Sequence, residues 1–377
     1  MRAKLMLVLP VLTFSSMCNF ATPIGTAAFV WERLVSDSGI SYQLYVASSL
    51  NGGIVYGGTF FFSKNGYAKP IDGGIWVRVT DNAGKELGFM KMTGDNYSGI
   101  DALAGLENGI IIVVINRKIG PSIIKTIDIK KNKVVFEKEL ERGISISKIL
   151  GCGGGGTFLI GHKLLQSYIL RIDINGNATK QVLDKLTGNY FVDGVCLHDR
   201  MILVKNKGER SQFFVTNSMV TTSIYDFDGN VVKEMQFPGR GGSVAILKTG
   251  EMAIVYDESM TAAQHIKAIG FSESMDVIWK TNVHDSNIGF ESFNVSSYNN
   301  RFIVGGSVYT RQFVAVINAG GVLVNSFVFD KVRPGTGYKV LCKENIGCFS
   351  MSTQINQSEE NIWANEGRIA LFVHNIK

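Results

Sequence analysis

The sequence predicts an all-β protein built from one four-stranded unit that recurs along the chain. The first observation is composition: 42 of the 377 residues are Gly and only 6 are Pro, which is typical of many tight turns between strands. Apolar residues make up 45% and charged residues 19%, which provides a sizeable core and excludes a disordered protein. The second observation is a repeated turn motif, and the third is that no segment has a convincing helical period.

A turn motif marks the repeat. An apolar run ends in Asp or Asn, two or so residues follow, and a Gly precedes the next apolar run, as in Val79–Gly84 and Tyr225–Gly229. Asp or Asn bonds the backbone two residues on, and Gly supplies the positive φ that closes the turn. The motif begins at Asp81, Asp173, Asp226 and Asn318, with degenerate copies at Asp128 and Ser272, so successive copies lie 45–53 residues apart.

Upstream of each turn motif lies an apolar strand, a tight polar turn and another strand. Examples are Leu106–Gly109 before Ile110–Val114, and Leu247–Gly250 before Glu251–Val255. Each repeat is therefore predicted to contain an inner hairpin, a variable loop and an outer hairpin. Four strands in roughly 46 residues is the unit of a β-propeller blade.

Six complete copies precede a seventh that is one strand short. The seventh begins at Tyr338–Cys342, continues through residues 347–353 and has its third strand at Arg368–His374. Ala28–Val35 resembles the outer strand Asp276–Val283, so the N-terminal strand is expected to complete the last blade. Closure in this way removes a long unpaired edge. The prediction is a single seven-bladed β-propeller, with six or eight blades as alternatives.

Residues 1–21 have the layout of a secretory signal peptide, and the propeller is assigned to residues 22–377. Two positive charges precede a short apolar run, and small and polar residues lead to cleavage after Ala21. Cys18 raises a lipoprotein alternative, which the preceding Met17 disfavours. No later stretch reaches the roughly 18 apolar residues of a membrane span. The mature chain is expected to be exported, periplasmic or extracellular, without a membrane span.

Four cysteines follow the predicted signal peptide: Cys152, Cys196, Cys342 and Cys348. Cys342 and Cys348 flank a possible hairpin tip, and Cys152 and Cys196 occupy equivalent positions in neighbouring repeats. Four cysteines allow three pairings, so we expect one or two structural disulfides, or buried thiols, with the pairing open. Because no Cys-x-x-Cys or nearby Cys-x-x-His spacing occurs, no metal site is predicted.

The segment Trp31–Gly58 resembles an exported bacterial propeller repeat, in which Trp and a short polar stretch precede an inner strand, Asn-Gly-Gly and an aliphatic pair ending in Gly-Gly. The continuation Asp72–Asp81 is similar to the next strand of that unit. The resemblance implies a propeller and an exported location but no single activity, because propellers carry many. The turn motif also resembles quinoprotein repeats, which have a Trp in nearly every blade, whereas this chain has four. No cofactor is predicted.

Catalytic motifs are missing from the sequence. The chain contains neither the Gly-x-Ser-x-Gly nucleophile motif nor His-Glu-x-x-His, and its five histidines lack the spacing of metal ligands. We expect these histidines to be surface or strand residues. The Gly-rich run at 151–156 lacks the Lys-Ser/Thr of a phosphate loop and is predicted to be a hairpin turn. Asp226–Asn230 resembles a calcium loop, but it recurs in other repeats as a turn.

Candidate binding residues lie in the predicted loops that lead from each outer strand into the next inner strand. Asp101, Asp193 and Glu291 occur there, in the second, fourth and sixth repeats. Their carboxylates are predicted to surround one mouth of the central channel, as a site for a cation or a cationic ligand. The alternative is that each carboxylate accepts backbone N–H groups where a strand begins.

The sequence supports functions of two classes. The favoured one is a non-enzymatic binding module that presents one face to a protein, a glycan or a small ligand, because no catalytic constellation is visible. Its variable loops at 60–67, 205–210 and 309–311 carry aromatic and basic residues that suit a sugar or an acidic polymer, or are solvated tips. The alternative is an exported hydrolase or lyase with its site at the central channel mouth. A net charge of +6 without a dense basic block is not typical of nucleic-acid binding, and a monomer is expected.

Overall fold

The structure is a computed structural model that describes most of residues 27–374. The predicted signal peptide, residues 1–21, lies outside the described residues. The gaps within the described range are 36–39, 51–52, 63–72, 82–83, 94–95, 107–108, 164–165, 174–177, 188, 211–214, 259–263, 287–289, 309–310, 330–337, 344–346 and 359–360.

The described residues form 28 strands in seven four-stranded antiparallel sheets. Sheet one contains β2 (Ile40–Leu50), β3 (Gly53–Phe62), β4 (Gly73–Asp81) and β5 (Glu86–Thr93). Sheet two contains β6 (Tyr97–Gly105), β7 (Ile110–Arg117), β8 (Ile123–Asp128) and β9 (Lys133–Glu139). Sheet three contains β10 (Ile144–Gly151), β11 (Thr157–Lys163), β12 (Gln166–Ile172) and β13 (Ala178–Thr187).

Sheet four contains β14 (Asn189–Leu197), β15 (Arg200–Arg210), β16 (Val215–Asp226) and β17 (Val231–Pro238). Sheet five contains β18 (Arg240–Ile246), β19 (Met252–Asp257), β20 (Gln264–Phe271) and β21 (Val277–Ser286). Sheet six contains β22 (Phe290–Tyr298), β23 (Arg301–Val308), β24 (Arg311–Asn318) and β25 (Leu323–Phe329). Sheet seven contains β26 (Tyr338–Lys343), β27 (Gly347–Ser358), β28 (Asn361–His374) and β1 (Ala27–Val35).

The strands of sheets one to six follow one another in chain order, whereas sheet seven ends with the N-terminal strand. β1 pairs antiparallel with β28, so that Ala27 lies opposite His374 and Val35 opposite Gly367. We call the first strand of each sheet its inner strand. The inner strands of consecutive sheets contact one another, and β26 also contacts β2. The all-β prediction is confirmed, as is the division of each repeat into four strands.

Two ends of the sheets are distinguished below. The loop face is the end at which the second strand of each sheet leads into the third, and the turn face is the opposite end. Two strands of sheet seven are longer than predicted. The second continues to Ser358, beyond residue 353, and the third begins at Asn361 and not at Arg368, so that the two pair along their added length. The N-terminal half of the third strand is polar, so the sequence shows no apolar pattern there that would indicate a strand. The hydrogen bonds between paired strands are made by the backbone and do not depend on such a pattern.

The repeated Asp/Asn turn closes as its chemistry predicts. In sheet four the Asn230 N–H donates to Asp226 Oδ1 at 2.8 Å, and the Asn230 amide donates to Asp226 Oδ2 at 2.8 Å. In sheet six the Val322 N–H donates to Asn318 Oδ1 at 2.9 Å. Gly229 and Gly321 both adopt a φ of 82°, a conformation that favours glycine. The segment with the calcium-loop resemblance is therefore a turn whose aspartate oxygens bond within the turn.

The core lies between adjacent sheets. The second strand of sheet five, β19, is buried at all six positions, because neighbouring sheets cover both of its faces. Between sheets five and six the packing includes Val255, Phe302 and Phe313. The fourth strand of sheet two, β9, is largely exposed. Buried second strands therefore read as continuous apolar runs, and the fourth strands at the rim do not.

A 3-10 turn lies at Gly153–Gly155, between β10 and β11. The Gly-rich run at 151–156 is thus a hairpin turn, as predicted. Within the described ranges no helix has the length and apolar character needed to cross a bilayer.

Candidate functional site

Polar side chains on the inner strands join successive sheets. We call Asp101, Ser147, Asp193, Ser243 and Asn294 the inner-strand belt, because each hydrogen-bonds the backbone of the next inner strand. Their backbone partners are, in the same order, Ile146, Phe191, Val244, Val295 and Val340. These contacts link the inner strands of sheets two to seven, at positions where an apolar side chain would leave buried backbone groups unpaired.

Asp193 is the most heavily bonded member of the belt. Its Oδ2 accepts the Ser243 hydroxyl at 2.6 Å and the Val244 N–H at 3.0 Å. Its Oδ1 accepts the Gly194 N–H at 2.9 Å and forms an ion pair with Lys148 from sheet three. Because Ser243 Oγ also accepts the Val295 N–H at 3.1 Å, one connected network spans four sheets.

Asp101 has fewer partners than Asp193. The Ile146 N–H, the Ser122 hydroxyl and the Asn116 amide face its carboxyl group, but Oδ2 is buried and makes no hydrogen bond. Burial raises the pKa of Asp101 to about 6, and the three donors lower it by less than burial raises it. Among the residues that the structure describes, no cation pairs with this carboxyl group as Lys148 pairs with Asp193.

The placement of the three predicted carboxylates differs from the expectation that they lie in loops. Asp101, Asp193 and Glu291 lie within the inner strands β6, β14 and β22, and the side chain of Glu291 is outside the described part of the chain. The turn signals lie outside these strands, and the polar residue interrupts each apolar run without ending it. Asp193 accepts backbone N–H groups, as the structural alternative expected.

The other belt residues were not singled out by the sequence, although a signal was present. Ser147, Ser243 and Asn294 interrupt apolar inner strands four or five residues before the turn of the inner hairpin, as Asp101 and Asp193 do. Their hydroxyl and amide groups hydrogen-bond the backbone of the next inner strand, as the carboxylates do. The position in the repeat, and not the charge, is therefore the useful signal.

A second group of polar residues lies at the loop-face ends of the four strands of sheet five. We call Arg240, Asp257, His265 and Asp285 the loop-face cluster. Arg240 Nε donates to Asp257 Oδ2 at 2.7 Å, and the His265 N–H donates to Asp257 Oδ1 at 3.2 Å. His265 Nδ1 is hydrogen-bonded to Asp285 Oδ1 at 2.7 Å. Asp257 is buried, whereas the other three side chains are exposed to solvent over 41–63% of their surface.

The loop-face cluster holds the side chains of Arg240 and His265 in fixed orientations. A buried carboxylate fixes the guanidinium of Arg240 through Nε, and guanidinium groups bind carboxylates and phosphates well. Asp285 orients the ring of His265 through Nδ1, the arrangement by which carboxylates position imidazoles that bind ligands or transfer protons. Arg240 lies opposite Asp257, 17 residues further along the chain, and His265 lies opposite Asp285, 20 residues further along. Because the partners are this far apart in the sequence, no local motif indicated the cluster.

The variable segment 205–210 is corrected by the structure, because it lies in β15 and is not a loop. Lys205 is 2% exposed, and its Nζ lies 3.3 Å from Glu234 Oε2. Nζ also lies 5.7 Å from the Phe191 ring centroid and 5.4 Å from that of Tyr225. This lysine is therefore part of the packing between sheets and is not available to a ligand. Segments 63–67 and 309–310 lie outside the described residues.

The cysteines form two disulfides. Cys152–Cys196 joins the inner-strand regions of sheets three and four, and Cys342–Cys348 bridges β26 and β27 within sheet seven. Disulfides of this kind are typical of oxidising, exported environments. Across the described ranges, no group of three or more His, Cys, Asp or Glu side chains is arranged to hold a metal ion.

Comparisons with known proteins show the fold alone. No protein-family model matches the chain, and no curated protein sequence matches it. A chain in the "Crystal Structure of Mitotic Checkpoint Complex" is similar, with a TM-score of 0.59 and 8% identity over 92% of this chain and 93% of that chain. A chain in "KlHsv2 with loop 6CD replaced by a Gly-Ser linker" gives a TM-score of 0.49 and 9% identity over 90% of this chain and 99% of that chain. The likeness to the checkpoint-complex chain, which has a WD40-like propeller fold, indicates that the fold of this protein is propeller-like.

Proposed function

We propose that this protein is an exported, seven-bladed β-propeller that acts as a non-enzymatic module and binds a protein partner through its loop face. The observation that carries the proposal is the loop-face cluster: exposed charged groups are held in fixed orientations at the ends of rigid strands. Rigid scaffolds with preoriented surface groups suit binding, since little side-chain entropy is lost on association.

In this proposal the seven sheets are the blades of a closed ring. Two contacts support closure: the inner strands β26 and β2 touch, and the N-terminal strand β1 completes sheet seven. Export is supported by the two disulfides and by the layout of residues 1–21. The resemblance to exported bacterial propeller repeats fits the same location.

The inner-strand belt has a structural role in this proposal, and binding belongs to the loop-face cluster. The four donors around Asp193 occupy its carboxylate, which leaves little capacity for a cation. A protein partner is favoured because likeness to a chain from a protein complex extends over nearly the whole fold. A glycan or a small ligand on the same face is an outcome that the following experiment distinguishes.

The experiment places a photo-crosslinking amino acid at His265 and, as the control, at Thr249 on the turn face. Cells exporting each variant are irradiated, and adducts are identified by mass spectrometry. The partner is then purified and its affinity measured against wild type and the double variant H265A/D285A. Both side chains are exposed, so folding is expected to survive. We expect adducts from position 265 and at least a tenfold weaker affinity. Adducts of glycan only, or unchanged affinity, would contradict a protein site here.

A further inference from the structure

We call the contact between the inner strands of two successive sheets a joint. The joint between sheets two and three contains the carboxyl group of Asp101, whose burial is not fully compensated by hydrogen bonds or an ion pair. Asp101 on β6 faces the backbone N–H of Ile146 on β10, the inner strand of the next sheet. Its Oδ2 is buried and makes no hydrogen bond. A buried polar atom without a partner is rare in folded proteins and costs free energy, most of all when the group is charged.

The equivalent joint between sheets four and five is built differently. There the Asp193 carboxylate accepts hydrogen bonds at both oxygens and is paired with Lys148. The two joints share the same topology, since in each an aspartate on one inner strand bonds the backbone of the next. They differ in that Lys148 balances the charge of the Asp193 carboxylate, whereas no ion pair to Asp101 occurs within the described ranges.

The charged side chains on the strands that pack against β6 form ion pairs or hydrogen bonds with residues other than Asp101. β6 packs against β2, β3, β4, β7 and β10. The sequences of β2 and β3 hold no charged residue and only three titratable ones, Tyr42, Tyr45 and Tyr56. On β4, Arg78 pairs with Glu86, and Asp81 bonds the turn through the Lys85 N–H. On β7 Arg117 pairs with Glu139, and on β10 Lys148 pairs with Asp193.

We infer that the joint between β6 and β10 is a proton-controlled latch, closed when the carboxyl group of Asp101 is protonated and loosened when it ionises. A proton on Oδ2 removes the charge that burial penalises. The ionised group favours hydration, and loosening of the contact between β6 and β10 lets water reach the buried Oδ2. The latch acts on one joint of the ring, because the equivalent aspartate in sheet four is compensated by Lys148.

The direction and size of the effect follow from linkage. The pKa of Asp101 is about 6 in the closed joint, against an ordinary value of 3.8. Because the closed joint holds the proton more tightly, the opening equilibrium constant is lowest below about pH 4. It rises through the window between these values by up to about a hundredfold and is constant above it.

A local measurement is required because other groups titrate in the same range. His284 stacks on Phe313 in the contact between sheets five and six, and burial lowers its pKa. Protonation of His284 therefore destabilises the fold as the pH falls, which opposes the effect of Asp101. Global unfolding curves would mix the two contributions.

The test is hydrogen exchange with mass spectrometry on peptides from β6 and β10, between pH 4.5 and pH 8, corrected for intrinsic exchange rates. Wild type is expected to show opening that increases many-fold up to about pH 6 and then levels off, and the variant D101N is expected to show no such step. The matched control D199N changes an exposed aspartate and is expected to keep the wild-type profile. A step that persists in D101N, or a wild type without a step, would overturn the latch.

A second measurement covers the case in which D101N does not fold. Carbon-13 NMR of wild-type protein labelled at the aspartate carboxyl carbon reports each titration directly, and D101S assigns the resonance. A carboxyl midpoint near pH 6 that is missing from D101S supports the inference. If every aspartate titrates below about pH 4.5, the inference is wrong.

Discussion

At the scale of single residues, the polar atoms between sheets carry much of the specificity of the stacking. Asp193 is the clearest example. Its carboxylate accepts hydrogen bonds from groups of three sheets that would otherwise be bonded to water. Removing it in D193A would leave those donors unpaired, and we expect a loss of about 3 kcal/mol in the free energy of unfolding. D199A removes an exposed carboxylate and is expected to cost no more than about 0.5 kcal/mol. Urea denaturation of both variants checks this, and equal midpoints would contradict it.

Glu234 links stability to pH through the buried Lys205. Burial opposes its charge, but the Ser223 hydroxyl and the charge of Lys205 outweigh burial and hold the pKa of Glu234 below its usual value. The stability it contributes is present above about pH 4.5 and is lost as the pH falls below it. We expect E234Q to flatten that acid limb, whereas the control E251Q, which changes a partly exposed glutamate outside this group, leaves it unchanged. The measurement is the unfolding midpoint at pH 3 to 7, and superimposable profiles for wild type and E234Q would refute the link.

At the scale of elements, the rim strand β21 of sheet five meets the turn of the following sheet. The ring N–H of Trp279 on β21 donates to the Ala319 carbonyl at 2.7 Å, and its ring covers the turn of sheet six. A Cβ on Gly321 would lie 2.4 Å from Trp279 Cγ, at a φ of 82°, whereas a Cβ on Gly320 would meet nothing closer than 3.5 Å. G321A is therefore expected to cost about 3 kcal/mol.

The neighbouring G320A provides the control for this turn, because it adds the same methyl group one residue away, where the nearest atom, Asn318 Oδ1, is at an ordinary contact distance. Its effect is expected to stay within about 0.5 kcal/mol. Thermal unfolding of the pair, followed by tryptophan fluorescence, measures both the stability and the packing of Trp279. Equal melting temperatures for the two variants would mean that the turn does not depend on the contact.

The two disulfides close loops of very different length. Cys152–Cys196 spans 44 residues and joins two sheets, while Cys342–Cys348 spans 6 residues within one hairpin. The chain-entropy relation assigns roughly 4 kcal/mol to the longer loop and roughly 2 kcal/mol to the shorter one. We expect C152S/C196S to lower the unfolding free energy by about 2 kcal/mol more than C342S/C348S. Guanidinium titrations under non-reducing conditions test the difference, and a reversed order would count against loop length as the cause.

At the scale of the whole molecule, the proposed closure of the ring depends on one pairing, which joins the two ends of the described chain. β1 is the fourth strand of sheet seven, and its removal exposes the edge of β28. Deletion of residues 1–35 is expected to produce aggregation and a broad thermal transition, because a long unpaired edge is a template for association. Deletion of residues 1–26 retains β1 and is expected to leave one sharp transition. Size-exclusion chromatography and circular dichroism compare the two, and identical behaviour would argue against closure by β1.

The sequence alone determined the repeat, the four strands of each unit and the turn that closes it. These features depend on local chemistry: Asn318 bonds a backbone N–H four residues away, and Gly321 adopts the φ that the turn needs. The pairing of β1 with β28 was also predictable, because Ala28–Val35 has the pattern of a rim strand.

Only the tertiary structure decided which polar groups meet. The aspartate at 193 finds its partners 45, 50 and 51 residues away, at Lys148, Ser243 and Val244. Such contacts depend on how one sheet stacks on the next, and the sequence of one repeat does not indicate which residues of the next repeat will lie against it. For the same reason, Lys205 reads as a solvated loop residue in the sequence but is buried against two aromatic rings in the fold. Local hydrogen bonds fix strands and turns, and the stacking of sheets decides which side chains remain available for function.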